Sequence, residues 1–194
     1  MKRAIFFDRD GTLNEEVGYI SDPAQIRLLP GAAEAVRSTQ AAGWLAIVVS
    51  NQAGVGRGLM TEAQVQAVNA RFEALLAAGE ARLDALYYCP HHPQGANEAY
   101  RVVCDCRKPA PGLLTRAAAK FSIDLSKSYV VGDKTTDVQL AQNAGAGGIL
   151  VRTGFGADQL LEAQREGLTP LYVAGGVREA VEWIFAREQA RLGG

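Results

Sequence analysis

Two aspartates two residues apart, Asp8 and Asp10, follow the apolar run Ala4-Ile5-Phe6-Phe7 and precede Gly11-Thr12. Side chains alternate along a strand, so acids at i and i+2 share one side if the strand continues through them. Gly11 permits a turn directly afterwards. Paired carboxylates at the mouth of a sheet attract a divalent cation. They can also divide the work of phosphoryl transfer, one attacking phosphorus and the other moving a proton. Three further pieces follow in chain order. Ser50 and Asn51 end a second apolar run. Arg107-Lys108-Pro109 precedes a helical stretch. Asp133 and Lys134 end the fourth apolar run, with Asp137 one helical turn on. Asp133 can help to bind Mg²⁺, which prefers hard oxygen ligands. Ser50 and Lys108 can hold the equatorial phosphate oxygens, where charge spreads in the transition state. Each residue alone has an ordinary explanation: Asp-x-Asp as a turn or cap, Ser50 as a strand-end hydroxyl, Lys108 as a solvated lysine. Their order along one chain favours the joint reading. Asp137 has two readings, a partner of the site residues or a first-turn charge favoured by the helix dipole.

Alternating strands and helices must position these groups. Apolar runs predict strands over 2–7, 44–50, 83–89, 128–133, 148–152 and 170–173. Helical patterns cover 31–42, 61–78, 111–121, 136–144 and about 177–191. Gly43 follows the first helix, and Thr61 and Gln64 suggest a cap for the second. This alternation implies an α/β three-layer sandwich with a mostly parallel, Rossmann-like sheet. Ligands of such sheets bind outside the carboxyl ends of the strands, where Asp8, Asp10, Ser50, Asn51 and Asp133 all fall. No stretch is long enough for a separate cap domain, so one domain over 1–194 is expected. The insertions at about 14–30 and 90–109 should border the site.

Bulk composition narrows the classes. The chain has 194 residues, 48% of them hydrophobic, which suits one core and excludes a disordered chain. A formal net charge of −1 gives no basic excess for nucleic acid or membrane surfaces. No apolar run approaches the roughly 20 residues of a membrane span, and the N-terminus lacks the pattern of a signal peptide. The expectation is a cytoplasmic monomer acting on a small molecule.

The ordered set resembles the haloacid dehalogenase (HAD) superfamily of phosphatases. That resemblance implies that Asp8 attacks phosphorus to form an aspartyl-phosphate, and that Asp10 protonates the leaving oxygen and then deprotonates water. It also implies Mg²⁺ held by Asp8, the backbone carbonyl of Asp10, and Asp133. Dehalogenating members lack the second acid, so Asp10 points to phosphate rather than halide.

The cysteines number three, an odd count that argues against a closed disulfide framework. They cluster instead as Cys89-Pro90-His91-His92 and Cys104-Asp105-Cys106. Three thiolates and one imidazole complete a tetrahedral Zn²⁺ shell with no open position, so the zinc would be structural and would pin a long loop. This loop is similar to that of the heptose-bisphosphate phosphatases within the superfamily. The resemblance, with the two-residue step from Cys89, selects His91 over His92. Asn14, Gly18-Tyr19 and Gly54-Val55-Gly56-Arg57-Gly58 fit the same family. It implies substrate contacts at Glu16, Val17, Gly18, Tyr19, Ser50, Asn51, Gln52, Ala53, Arg107, Lys108 and Lys134. Ala53 departs from the small hydroxyl residue common there. The implied reaction is Mg²⁺-dependent removal of the 7-phosphate from a heptose bisphosphate, toward ADP- or GDP-heptose for lipopolysaccharide or other glycans. Histidinol-phosphate phosphatase is the nearer rival; its zinc loop is typically shorter and its substrate cationic. A non-catalytic zinc-stabilised scaffold is the rival from another class.

Overall fold

Every residue of the first strand is buried, and its side chains part to two cores. Ile5 and Phe7 face one cluster; Ala4 and Phe6 face the other. The next strand divides the same way, Ala46 and Val48 against Leu45, Ile47 and Val49. Strands apolar on both sides need helices on both faces, and a parallel sheet provides them. The computed structural model describes residues 1–192.

Six strands form one parallel sheet: β1 (Ala4–Phe7), β2 (Leu45–Asn51), β3 (Ala85–Cys89), β4 (Tyr129–Gly132), β5 (Gly147–Val151) and β6 (Tyr172–Ala174). Their spatial order is β3-β2-β1-β4-β5-β6. Helices α1 (Ala32–Ala41), α2 (Glu62–Ala78) and α6 (Val177–Leu192) bury one face through residues such as Val36, Phe72 and Ile184. Helices α3 (Gly112–Phe121) and α4 (Thr135–Ala144) bury the other through Leu113, Leu114 and Leu140. Helix α5 (Gly156–Arg165) lies against α4 and β5. Three layers around a Rossmann-like sheet are the architecture expected from the strand–helix alternation. No element is read from the sequence between 152 and 170, where α5 lies. Only Gly156 and Ala163 of α5 are buried, and the helix is poor in apolar residues.

Local chemistry explains the best-defined helix. Thr61 Oγ1 accepts from Gln64 N at 3.2 Å, and Gln64 Oε1 accepts from Thr61 N at 2.8 Å. That is a reciprocal capping box, satisfying two donors that a helix start leaves unpaired. Val65, Val68, Phe72 and Leu76 then form the buried stripe of α2.

The strand order reverses direction between β1 and β4. Chain connections run outward to β2 and β3 on one side and to β5 and β6 on the other, which opens a crevice at the carboxyl ends. Phe7 pairs with both Val48 and Val131, so β1 and β4 end nearly level while β2 runs on to Asn51. Asp8 N donates to Val131 O at 2.9 Å and fixes the first acid at that crevice. Among the described residues no helix is long and apolar enough to cross a membrane.

Candidate active site

β1 ends at Phe7, so Asp8 and Asp10 do not sit within a continuing strand. The chain turns at once. Arg9 O accepts from Leu13 N at 2.9 Å and Asn14 N at 3.0 Å, and Gly11 adopts φ +81°. A side chain at Gly11 would bring its Cβ within 2.1 Å of Asp133 Oδ2. Gly11 therefore permits both the turn and the close approach of Asp133.

A cavity of about 300 Å³ opens over these strand ends. Asp8, Asp10, Glu16, Gly18, Tyr19, Ser50, Asn51, Gln52, Lys108 and Lys134 border it, as do Thr136 and Phe155, which sequence reading does not single out. Val17, Ala53 and Arg107 do not border it. Val17 is exposed and Ala53 buried. Arg107 donates to His91 O at 3.3 Å. Arg57 lies 3.1 Å from His92 Nε2.

Beneath the cavity, Lys108 is buried and its ammonium uses all three protons. Nζ lies 2.8 Å from Asp8 Oδ1 and 2.7 Å from Asp137 Oδ1, and donates to Val49 O at 3.1 Å. Burial alone would lower its pKa; the carboxylates of Asp137 and Asp8 more than offset that and hold it above the usual lysine range. Asn51 clamps the same residue by its main chain, accepting from Lys108 N at 3.0 Å and donating to Lys108 O at 3.2 Å. Asp137 is buried, and its second oxygen accepts from Lys134 N at 3.2 Å. The geometry matches both of its readings, since one oxygen pairs with Lys108 and the other meets the backbone at the start of α4. Lys134 Nζ reaches Glu16 Oε2 at 3.0 Å and lies 4.8 Å from the centre of the Phe155 ring.

The acids of the site fit a cation. Ligand oxygens of Asp8, Asp133 and Asp137 lie within 4.8 Å of one another. Asp137 has both oxygens engaged. Asp133 accepts from Phe155 N at 2.9 Å through Oδ2, but its buried Oδ1 has no partner. Such an orphaned acceptor is costly unless something else meets it. Burial pushes Asp133 up to about 7, with the charge of Asp8 adding to the effect. Burial also raises Asp8 to about 6, against the pull of Lys108. Two buried carboxylates that resist joint ionisation suit a divalent cation with oxygen ligands.

Asp10 is held from several sides. Arg9 meets it twice through Nη2, at 2.9 and 3.0 Å, and once through Nε at 3.1 Å. Asn14 Nδ2 donates to it at 3.0 Å. Gln52 Nε2 lies 2.8 Å from both Asp10 Oδ2 and Ser50 Oγ, linking the second acid to the hydroxyl of β2.

The cysteine cluster lies at the end of β3. Cys89 and Cys104 sulfurs are 3.6 Å apart, and those of Cys104 and Cys106 are 3.3 Å apart. His91 Nδ1 lies 3.7 Å from Cys89 Sγ and 3.3 Å from Cys106 Sγ. Zn–S bonds of about 2.3 Å at tetrahedral angles place sulfurs about 3.8 Å apart. The four ligand atoms are therefore close to the spacing a zinc shell requires. His91, not His92, is the imidazole gathered with the thiols.

Comparison with known proteins agrees with this geometry. The family model described as HAD-hydrolase-like matches residues 105–180. A D-glycero-D-manno-heptose-1,7-bisphosphate 7-phosphatase of Thermosynechococcus vestitus is 47% identical, covering 93% of this chain and 94% of that protein. A D-glycero-beta-D-manno-heptose-1,7-bisphosphate 7-phosphatase of Escherichia coli K12 is 46% identical over 78% of this chain and 80% of its own length. Among solved structures, D,D-heptose 1,7-bisphosphate phosphatase from B. bronchiseptica, complexed with magnesium and phosphate, superimposes with a TM-score of 0.84. It is 31% identical and covers 96% of this chain and 99% of that one.

Proposed function

We propose, because the chain is a HAD-like phosphatase belonging to the D-glycero-D-manno-heptose-1,7-bisphosphate 7-phosphatase family, that it removes the 7-phosphate of that heptose bisphosphate. The observation that carries this reading is Lys108. Its ammonium joins Asp8 to Asp137 directly under a cavity bordered by Asp10, Ser50 and Lys134. An anionic ester entering that cavity meets a carboxylate nucleophile already paired with a fixed cation.

The Asp8 carboxylate attacks phosphorus. A bond forms from its oxygen to phosphorus, the bond to the sugar oxygen breaks, and Asp10 gives that oxygen a proton. Water then attacks the aspartyl-phosphate and passes a proton to Asp10. The bond between phosphorus and Asp8 breaks, freeing phosphate and restoring both acids. Ser50 and Lys134 hold the phosphoryl oxygens as charge builds on them, and the ammonium of Lys108 adds a fixed positive charge from beneath. Bound Mg²⁺ supplies further charge stabilisation for the phosphoryl group, and Asp8, Asp133 and the carbonyl of Asp10 are the groups that would hold it. Cys89, His91, Cys104 and Cys106 would hold a structural Zn²⁺. The 89–106 loop is then part of one phosphatase domain spanning the chain, working as a monomer.

Phosphorus NMR of heptose 1,7-bisphosphate incubated with enzyme and Mg²⁺ tests the assignment. Loss of the 7-phosphate signal with retention of the anomeric phosphate is expected. Equal efficiency on histidinol phosphate would overturn the substrate assignment. Persistent turnover by Asp8→Asn would overturn the nucleophile.

A further inference from the structure

Arg9 is the largest fully buried side chain among the described residues, yet the mechanism above does not use it. Its guanidinium grips both oxygens of Asp10. The remaining arm, Nη1, donates to Asn69 Oδ1 at 2.6 Å. Asn69 sits in the middle of α2, on the stripe otherwise made by Val65, Val68 and Phe72. A polar residue there is a poor choice for the helix and for its core. A buried ion pair is also a weak stabiliser compared with apolar side chains of similar volume. Stability alone therefore gives no reason for an arginine and an asparagine at these two places. The planar fork of arginine does match a carboxylate in two directions at once.

Asp10 has a need for such a fork. It lies past the end of β1, in a turn, so the sheet does not orient its carboxyl group. Arg9 shares that turn through its backbone, while Asn69 ties its side chain to a long capped helix. We propose that Arg9, fixed by Asn69 of α2, is the positioning residue that aims the Asp10 carboxyl at the leaving oxygen. This rests on the reading of Asp10 as the acid–base of a phosphatase.

Leaving-group dependence tests the proposal. Expulsion of a sugar alkoxide needs the proton from Asp10; expulsion of nitrophenolate needs it far less. Asn69→Leu keeps the branching and heavy-atom count and removes the acceptor, whereas Asn69→Asp keeps the acceptor. For Asn69→Leu, kcat on heptose 1,7-bisphosphate should fall on the order of tenfold to a hundredfold. The first-turnover burst from para-nitrophenyl phosphate should stay within about threefold of wild type, since that step leans little on the acid. Asn69→Asp should recover kcat. If Asn69→Leu fails to fold, Arg9→Lys, which keeps the charge and loses the fork, serves with the same readouts. A burst slowed as much as kcat would overturn the proposal, as would unchanged kcat in Asn69→Leu or no recovery in Asn69→Asp. Those results leave the phosphatase reading intact. A wild-type protein inactive on both esters would instead overturn that reading and this proposal with it.

Discussion

Lys108 and Asp137 offer a quantitative test of how the site is held together. Their charged atoms lie 2.7 Å apart, with side-chain exposures of 3% and 0%. At an effective dielectric of about 20 their attraction is about 6 kcal/mol. Desolvation cancels much of it, and removing one partner from a buried pair costs about 3–5 kcal/mol. Asp137→Ala leaves Lys108 still facing Asp8 at 2.8 Å and Val49 O at 3.1 Å. Its cost should lie near the lower bound, about 3 kcal/mol. Lys108→Met strands the carboxylates of Asp8 and Asp137 and should cost somewhat more. In Lys108→Met/Asp137→Ala neither charge of the pair is orphaned, so the double variant should be less destabilised than the sum by about 2 kcal/mol. Urea unfolding of zinc-loaded protein without Mg²⁺ measures all three. With a slope of about 2 kcal/mol per molar urea, Asp137→Ala should lower the midpoint by about 1.5 M. A shift below about 0.3 M, or strict additivity in the double variant, would refute the argument that this pair is a buried and coupled unit.

Three other outcomes follow from the geometry. Gly154 has φ +58°, and a Cβ there would lie 2.3 Å from Asp133 Oδ2; Gly154→Ala should weaken Mg²⁺ binding by about tenfold or more in calorimetric titration, and unchanged affinity would show that Asp133 is not held in place by this contact. Metal analysis should find one zinc per chain, and Cys104→Ser should lower both zinc content and thermal midpoint; a zinc-free wild type of full stability would rule out the structural metal. Thr61→Ala removes the cap of α2 and should cost about 1 kcal/mol in urea unfolding with kcat unchanged; a loss under about 0.3 kcal/mol would mean that the cap contributes little.

The strands were legible because residues such as Phe6, Ile47 and Val130 form short, wholly apolar runs, and only a doubly covered sheet buries such runs. Helix α5 was not, because its sequence, though amphipathic, has few apolar residues and buries only Gly156 and Ala163. At the site, Asp8, Ser50 and Asp133 could be read from their places at strand ends, and Lys108 from its order among them. Arg9 and Asn69 could not. Their pairing spans sixty residues of chain, and an isolated arginine or asparagine gives no sign that it is buried. One signal was available: an asparagine on the apolar stripe of α2. Asn51 shows a different limit. It was expected to meet substrate, and it borders the cavity, yet both ends of its amide grip the main chain of Lys108. Residue type and spacing identify a polar group near a site without saying which neighbour claims its hydrogen bonds. Ala53 and Arg107 show the same limit from outside the cavity wall.

The strand order also bears on how the molecule is made. Of the six strands β1 leaves the ribosome first, yet it occupies the middle of the finished sheet, between β2 and β4. Its second edge has no partner until residues 129–132 are synthesised, more than a hundred positions later. Throughout that interval the apolar strand that leads to the proposed nucleophile presents open hydrogen-bonding groups, the condition under which chains pair with the wrong neighbour. The bond from Asp8 N to Val131 O closes that edge. Residues 129–133 thus bring both the missing neighbour of β1 and, in Asp133, an acid of the proposed reaction centre.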